Sequence, residues 1–387
     1  MGSNHKTEFI KDRLGFLENG GLYRRLKTVV PKGATALVNG KHVINLCSND
    51  YLGLSTDKQV IEKTIASMQE VSQCSSRLIA GNHPLFIELE NMLASHRRTE
   101  SALVYPTGYS ANLGVLMAIA DESSTIYSDE LNHASIVDAC RLTDATVIVF
   151  RHNDTDHLQE LIKQRSGRKI VITEGIFSMD GDIGKLSEIQ TIADRHDAIT
   201  IIDDAHGDFI LGPSFAGTSA QLGVNFDIHI SSMSKALGCF GGYVATTLPI
   251  RELLINTSRQ FIYTSALPDH LCSAAITAIP IAKSGHLQRR LRCNINYFSS
   301  ALKRIGFEIR YPTSQIIPLM VGKETQAVKF SDQLLNEGVF VQAIRYPTVR
   351  KGEARLRISV NARHEQEHLD TAAEVFKRVG EKLGILE

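Results

Sequence analysis

Seven short β-rich runs alternate with helical stretches along one segment of the chain: Ala102 to Tyr105, Thr125 to Ser128, Thr146 to Phe150, Lys169 to Thr173, Ile199 to Asp203, Ile228 to Ser231 and Gly242 to Thr247. Several are apolar on both faces, I-V-I-T and I-T-I-I-D among them. A strand reads that way when helices cover both sides of its sheet. The alternation therefore predicts a large, mostly parallel α/β sheet wrapped by helices. Such sheets present ligand sites at the carboxyl ends of their strands, which fixes where chemistry should be sought.

The flanks differ from this segment. Up to about Val43 the chain is short and charged, with a helical start at Phe9, Leu14, Phe16 and Leu17 and a hairpin predicted at Asn39-Gly40. After helices over Leu267 to Lys283 and Leu287 to Gly306, the runs F-E-I-R, Q-I-I-P-L-M-V, V-F-V-Q-A-I and A-R-L-R-I-S-V surround one helix and precede another. At 387 residues the chain has room for two or three domains of about 150 residues each. We read an N-terminal arm over 1–50, a large α/β domain over 51–285 and a small α+β domain over 286–387.

Lys plus Arg and Asp plus Glu both number 42, so the surplus of positive charge needed to neutralise phosphate backbones is absent and nucleic acid is not the expected partner. No apolar run approaches the ~18–20 residues of a membrane span. The six cysteines stand singly with no C-x-x-C pair, and no H-E-x-x-H occurs, so neither a disulfide framework nor a metal site is expected. A cytoplasmic protein with reduced thiols follows.

Four signals fall after strands of the one sheet. I-T-I-I-D-D-A-H places Asp203, Asp204 and His206 at a strand end, where a carboxylate either caps a loop or meets a ligand. S-S-M-S-K-A-L-G-C-F-G-G sets Lys235 among small residues, as an amine must be to form a Schiff base with a flat cofactor; a lysine in a surface turn would read the same way. Y-P-T-G-Y-S-A-N leads through Thr107 and Gly108 into a helix, whose first backbone N–H groups suit a phosphate. His133 follows the next strand and supplies a stackable ring or a structural cap. Together they meet four needs of pyridoxal 5'-phosphate: an anion cradle, a ring face, an anion for the pyridine nitrogen and an amine for the aldehyde.

The chain resembles fold type I pyridoxal-phosphate enzymes, and among them the α-oxoamine synthases. The resemblance rests on C-S-N-D-Y-L-G-L (47–54), S-R-L-I-A-G-N-H (76–83), T-G-Y-S-A-N, S-D-E-L-N-H-A-S-I-V-D, T-E-G-I-F-S-M-D-G-D (173–182), D-D-A-H-G, S-K-A-L-G-C-F-G-G-Y-V-A, Y-T-S-A-L-P (263–268) and R-L-R-I-S-V-N-A-R-H (355–364), in order over nearly the whole chain. It implies that Lys235 carries the cofactor, that Asp203 pairs with the pyridine nitrogen and that His133 stacks on the ring. His206 and Ser178 would contact the phenolic oxygen side, and Ser178 the substrate carboxylate as well. Gly108 and Tyr109 amides and the Ser232 hydroxyl would hold the phosphate, joined by Ser265 from a second copy in a homodimer with shared active sites. Arg357 and Asn49 would clamp the amino-acid carboxylate, and Arg24 would lie near the acyl-CoA phosphates.

The implied reaction is a decarboxylating condensation of an amino acid with an acyl-CoA or acyl carrier protein. L-alanine with a pimeloyl thioester, as in biotin synthesis, is the first expectation, and glycine with acetyl-CoA is the alternative. Two departures from the family pattern stand out. Cys74 and Ser75 replace glycines on the acyl-donor side, and Phe215-Ala216 replaces a G-R-G turn.

Overall fold

The computed structural model describes residues 5–309 and 314–386. By internal contacts the chain divides into one unit of residues 1–48 with 294–387 and another of residues 49–293.

In the smaller unit, helix α1 (Glu8–Asn19) is followed by strands β1 (Val29–Lys32), β2 (Thr35–Val38) and β3 (Lys41–Asn45). Asn39 and Gly40 both take positive φ, 49° and 82°, and close β2 onto β3 with Val38 opposite Lys41, the two-residue turn that Asn-Gly favours.

The larger unit contributes helices α2 (Lys58–Ser67), α3 (Pro84–Arg97), α4 (Gly108–Ile119) and α5 (Ala134–Leu142). Its strands are β4 (Ser101–Tyr105), β5 (Ser124–Asp129), β6 (Thr146–Phe150), β7 (Arg168–Glu174), β8 (Ala198–Asp203), β9 (Ile228–Ser232) and β10 (Gly242–Thr246). They form one sheet in the order β4-β10-β9-β8-β7-β5-β6, in which β10 runs antiparallel to both neighbours and β9, β8, β7, β5 and β6 are parallel. All seven expected runs are strands of this sheet. Consecutive side chains serve opposite faces, as the pleat requires. Ile170, Ile172 and Ile201 join one apolar cluster with α4 and α5, whereas Val171 and Ile202 join another with Leu158, Leu186 and Ile189. Each face is thus covered, which is why these strands read as unbroken apolar runs.

The smaller unit is completed by β11 (Ile316–Gly322), β12 (Val339–Phe340), β13 (Gln342–Ile344) and β14 (Ala354–Ser359). β11, β14 and β13 form a three-stranded antiparallel sheet. The expected run V-F-V-Q-A-I is split: its first two residues pair in parallel with β3, Val339 opposite Ile44 and Phe340 opposite Asn45. Ala36, Val38, Val43 and Phe340 pack as one cluster. Residues 29–45, expected within a separate arm, are therefore strands of the smaller unit, because a two-residue partner 294 positions downstream of Asn45 continues their sheet. Of the expected F-E-I-R strand, Ile309 makes a single bridge to Leu319 and Arg310 lies outside the described residues. No helix among the described residues is long and apolar enough to cross a membrane.

Candidate active site

At the carboxyl ends of the parallel strands of the larger unit lies a cavity of about 230 Å³. Of the residues singled out in the sequence, Gly108, Tyr109, His133, Asp203, His206, Ser232 and Lys235 line it.

Its anion-binding side is the start of α4. Thr107 caps the helix reciprocally, its Oγ1 accepting the Ser110 N–H at 3.0 Å while the Ser110 hydroxyl accepts the Thr107 N–H at 3.0 Å. The Ala111 N–H is used within the helix by the Thr107 carbonyl. The first two N–H groups, of Gly108 and Tyr109, have no acceptor available inside the helix and point outward from it. Close approach is enforced here by glycine: a Cβ on Gly242 would lie 2.3 Å from the Gly108 nitrogen, and one on Gly108 would lie 3.2 Å from the Ser232 Cβ. Ser232 ends β9 with its hydroxyl 2.7 Å from that of Ser234.

Asp203 ends β8 and is 8% exposed. Its Oδ2 accepts from Asn112 Nδ2 at 2.7 Å and its Oδ1 from the Ala205 N–H at 3.0 Å. The second Asn112 amide hydrogen reaches the Ser135 hydroxyl at 2.9 Å, which in turn lies 2.7 Å from His133 Nδ1. His133 is the N-cap of α5, and its Nδ1 also accepts the Ser135 N–H at 3.2 Å. An accepting Nδ1 leaves the ring proton on Nε2. Burial, with Lys235 adding to it against Asp203, lowers the His133 pKa, so the ring is neutral. One asparagine therefore orients both the strand-end carboxylate and the imidazole.

Lys235 stands in a compact turn in which its carbonyl accepts the Gly238 N–H at 3.0 Å. Gly238 has φ of 61°, and a Cβ there would meet the Ser55 nitrogen at 2.3 Å, so the 50–55 segment fixes the turn. That segment also reaches the cavity wall: the Tyr51 hydroxyl lies 2.7 Å from His206 Nδ1 and donates to Asn49 Oδ1 at 3.1 Å. These features fit pyridoxal phosphate on the structure's own terms: outward amides beside glycines that admit no side chain, a buried doubly hydrogen-bonded carboxylate, a neutral ring and an amine around one cavity.

Other expected site residues stand elsewhere. Asn49 is linked to the cavity wall through Tyr51 and His206, and neither it nor Ser178, in the turn after β7, is among the lining residues. Ser265 faces a small space bounded by Arg77, Phe86, Tyr105 and Phe261. Arg357 and Arg24 belong to the smaller unit. There Arg357, on β14, is buried and donates to the Ser359 hydroxyl at 2.8 Å. Arg24 lines a separate cavity of about 890 Å³ with Arg25, Lys27 and Arg345. Several polar lining residues, Asn112, Ser135 and Glu174 among them, were not singled out. Asn112 had a signal, since it lies one helical turn after Gly108 and so shares its face.

Residues 41–376 match the Aminotransferase class I and II family, to which the chain belongs. It is similar over its whole length to the 8-amino-7-oxononanoate synthases of Thermoanaerobacter pseudethanolicus, at 42% identity, and Alkaliphilus metalliredigens, at 38%, each also covered in full. Among solved structures it resembles the serine palmitoyltransferase of S. paucimobilis bound to a PLP–myriocin aldimine, with a TM-score of 0.93 at 28% identity and full coverage of both chains. It also resembles 8-amino-7-oxononanoate synthase from Francisella tularensis, with a TM-score of 0.76 at 25% identity over 88% of this chain and 98% of that one.

Proposed function

We propose that this chain is a pyridoxal-phosphate-dependent acyltransferase that condenses L-alanine with a pimeloyl thioester, releasing the carrier thiol and carbon dioxide and yielding 8-amino-7-oxononanoate. The observation that carries the reading is the hydrogen-bonded run Asp203–Asn112–Ser135–His133 facing Lys235 and the start of α4 in one cavity. Full-length similarity to synthases of that product supports the choice of substrates.

When bound, pyridoxal phosphate supplies an electron sink that acidifies the amino-acid Cα proton. Asp203, fixed by two hydrogen-bond donors, would pair with the pyridine nitrogen and so strengthen that sink. Neutral His133 would offer the ring a flat face without a competing positive charge. Amides of Gly108 and Tyr109 and the Ser232 hydroxyl hold the phosphate, and the helix start adds its partial positive charge. Lys235 would hold the cofactor's aldehyde, and its free amine would take the Cα proton and later return one to the same carbon. Between those events Cα bonds to the thioester carbonyl carbon, the C–S bond breaks and the former carboxylate leaves as carbon dioxide.

Asn49 is assigned to the amino-acid carboxylate, Ser178 and His206 to the phenolic oxygen, and Arg24 to the carrier's phosphates. The working enzyme is a cytoplasmic homodimer in which Ser265 completes the phosphate site of the other copy. A screen of L-alanine with pimeloyl-CoA, glycine with acetyl-CoA and L-serine with palmitoyl-CoA, read by thiol release and amino-ketone mass, tests the assignment. Preference for the first pair is expected, and a clear preference for either other pair contradicts it.

A further inference from the structure

Glu174 is the last residue of β7 and the register partner of Asp203 on β8, so two carboxyl groups lie side by side at adjacent strand ends and line the same cavity. The residue is 2% exposed. Its Oε1 has no hydrogen-bond partner among the described residues. Neighbouring strands are about 4.8 Å apart, and two buried carboxylates at that spacing do not both ionise. The proton goes to the carboxyl with fewer donors. Asp203 has the Asn112 amide and the Ala205 N–H, whereas Glu174 has an orphaned oxygen.

We propose that Glu174 is a second carboxyl of the cofactor site, neutral beside the better-donated Asp203, and that it turns its O–H toward an oxygen acceptor of the bound ligand. The inference rests on the reading of the cavity as a pyridoxal-phosphate site. The groups that act on Glu174 agree with it: burial foremost, then Asp203 and more weakly Asp129, raise its pKa well above the ordinary carboxylate range, against Lys235 and the His133 N–H. Orphaned buried oxygens cost about 1–3 kcal/mol each, so an oxygen kept without a protein partner at a ligand cavity marks a place for the ligand.

The test is a pH titration of the visible absorption of the holoenzyme, together with the pyridoxal-phosphate dissociation constant, for the wild type, Glu174→Gln and Glu174→Leu. Glutamine keeps a neutral donor and acceptor, so its titration midpoint should match the wild type and its dissociation constant should stay within about threefold. Leucine should weaken cofactor binding about tenfold and displace the midpoint by at least ~0.5 pH units, because a donor to the ligand is lost. Two results overturn the proposal. A midpoint that falls by about one unit or more in Glu174→Gln means that the wild-type group is charged. A wild-type midpoint in Glu174→Leu means that nothing in the cavity receives its hydrogen bond. Should Glu174→Leu fail to fold, Glu174→Ala carries that comparison and the glutamine result still decides the charge. Failure of the underlying reading looks different: wild-type protein would show no visible band with pyridoxal phosphate, or Lys235→Ala would keep it.

Discussion

Asn112 has two amide hydrogens and spends both inside the cavity wall, one on Asp203 and one on Ser135. Removing it frees the carboxylate and the imidazole together. We expect Asn112→Ala to lower kcat by about ten- to a hundredfold, the equivalent of one hydrogen bond to a charged group at about 1.5–3 kcal/mol. Steady-state kinetics with saturating cofactor check this; an unchanged kcat would show that Asp203 and His133 are held without it. Asp203→Asn keeps the shape but removes the anion. Cofactor binding should persist while turnover falls on the order of 100-fold or more, as when a preorganised charge is deleted from a reacting centre. Turnover near wild type would refute the role given to Asp203. At the same scale, Cys74 and Phe215 hold φ of 49° and 60°, at the two places where the chain departs from the glycines of its family pattern. Each non-glycine residue there carries a backbone cost of roughly 1–2 kcal/mol.

The ends of adjacent strands are fastened by buried charge. Beneath the cavity, Arg97 from the end of α3 donates to Asp204 Oδ2 and Asp208 Oδ1, both at 3.1 Å, and Asp208 also meets His96, Ser231 and Tyr243. Burial raises the Asp204 pKa to about 6 against the pull of Arg97. Beside the cavity, His152 lies 2.9 Å from Asp129 Oδ1 and 2.8 Å from Asp182 Oδ2, with its edge against Phe177. It pins the 176–183 turn that carries Ser178 to the end of β5. Burial alone would lower the His152 pKa, but the hydrogen bonds to Asp129 and Asp182 outweigh it and push it up to about 10. Unfolded histidine titrates near 6.5, so between about pH 6.5 and 10 the folded state holds a proton the unfolded state has lost. The stabilisation is complete below pH 6.5 and disappears as pH rises through 10. His152→Gln should therefore melt below the wild type at pH 6 by about 2 °C or more, with the gap closing toward pH 10. A gap independent of pH would mean that the imidazole is uncharged.

For the molecule as a whole, strict neutrality suits a protein whose anions are small and met locally by amides, hydroxyls and a few arginines. The large sheet was legible because β7 and β8 are buried on both faces, and burial is written directly into composition. The cavity wall was legible where chemistry demands an unusual residue in a plain setting, as with Lys235 among small residues. It was not legible at Glu174, which looks like the polar end of an apolar strand until its neighbour is known to be Asp203. Nor was the pairing of β3 with Val339–Phe340, since a two-residue strand carries no periodicity and its partner lies far away in the chain.

The central claim is that one amine, Lys235, anchors pyridoxal phosphate in the cavity bounded by Asp203, His133 and the start of α4. Borohydride reduction of the reconstituted holoenzyme, followed by proteolysis and mass spectrometry of the peptides, addresses it directly. The account predicts a single pyridoxyl adduct, on the peptide containing Lys235 and absent from Lys235→Ala. An adduct on a different lysine, or none at all, would contradict it.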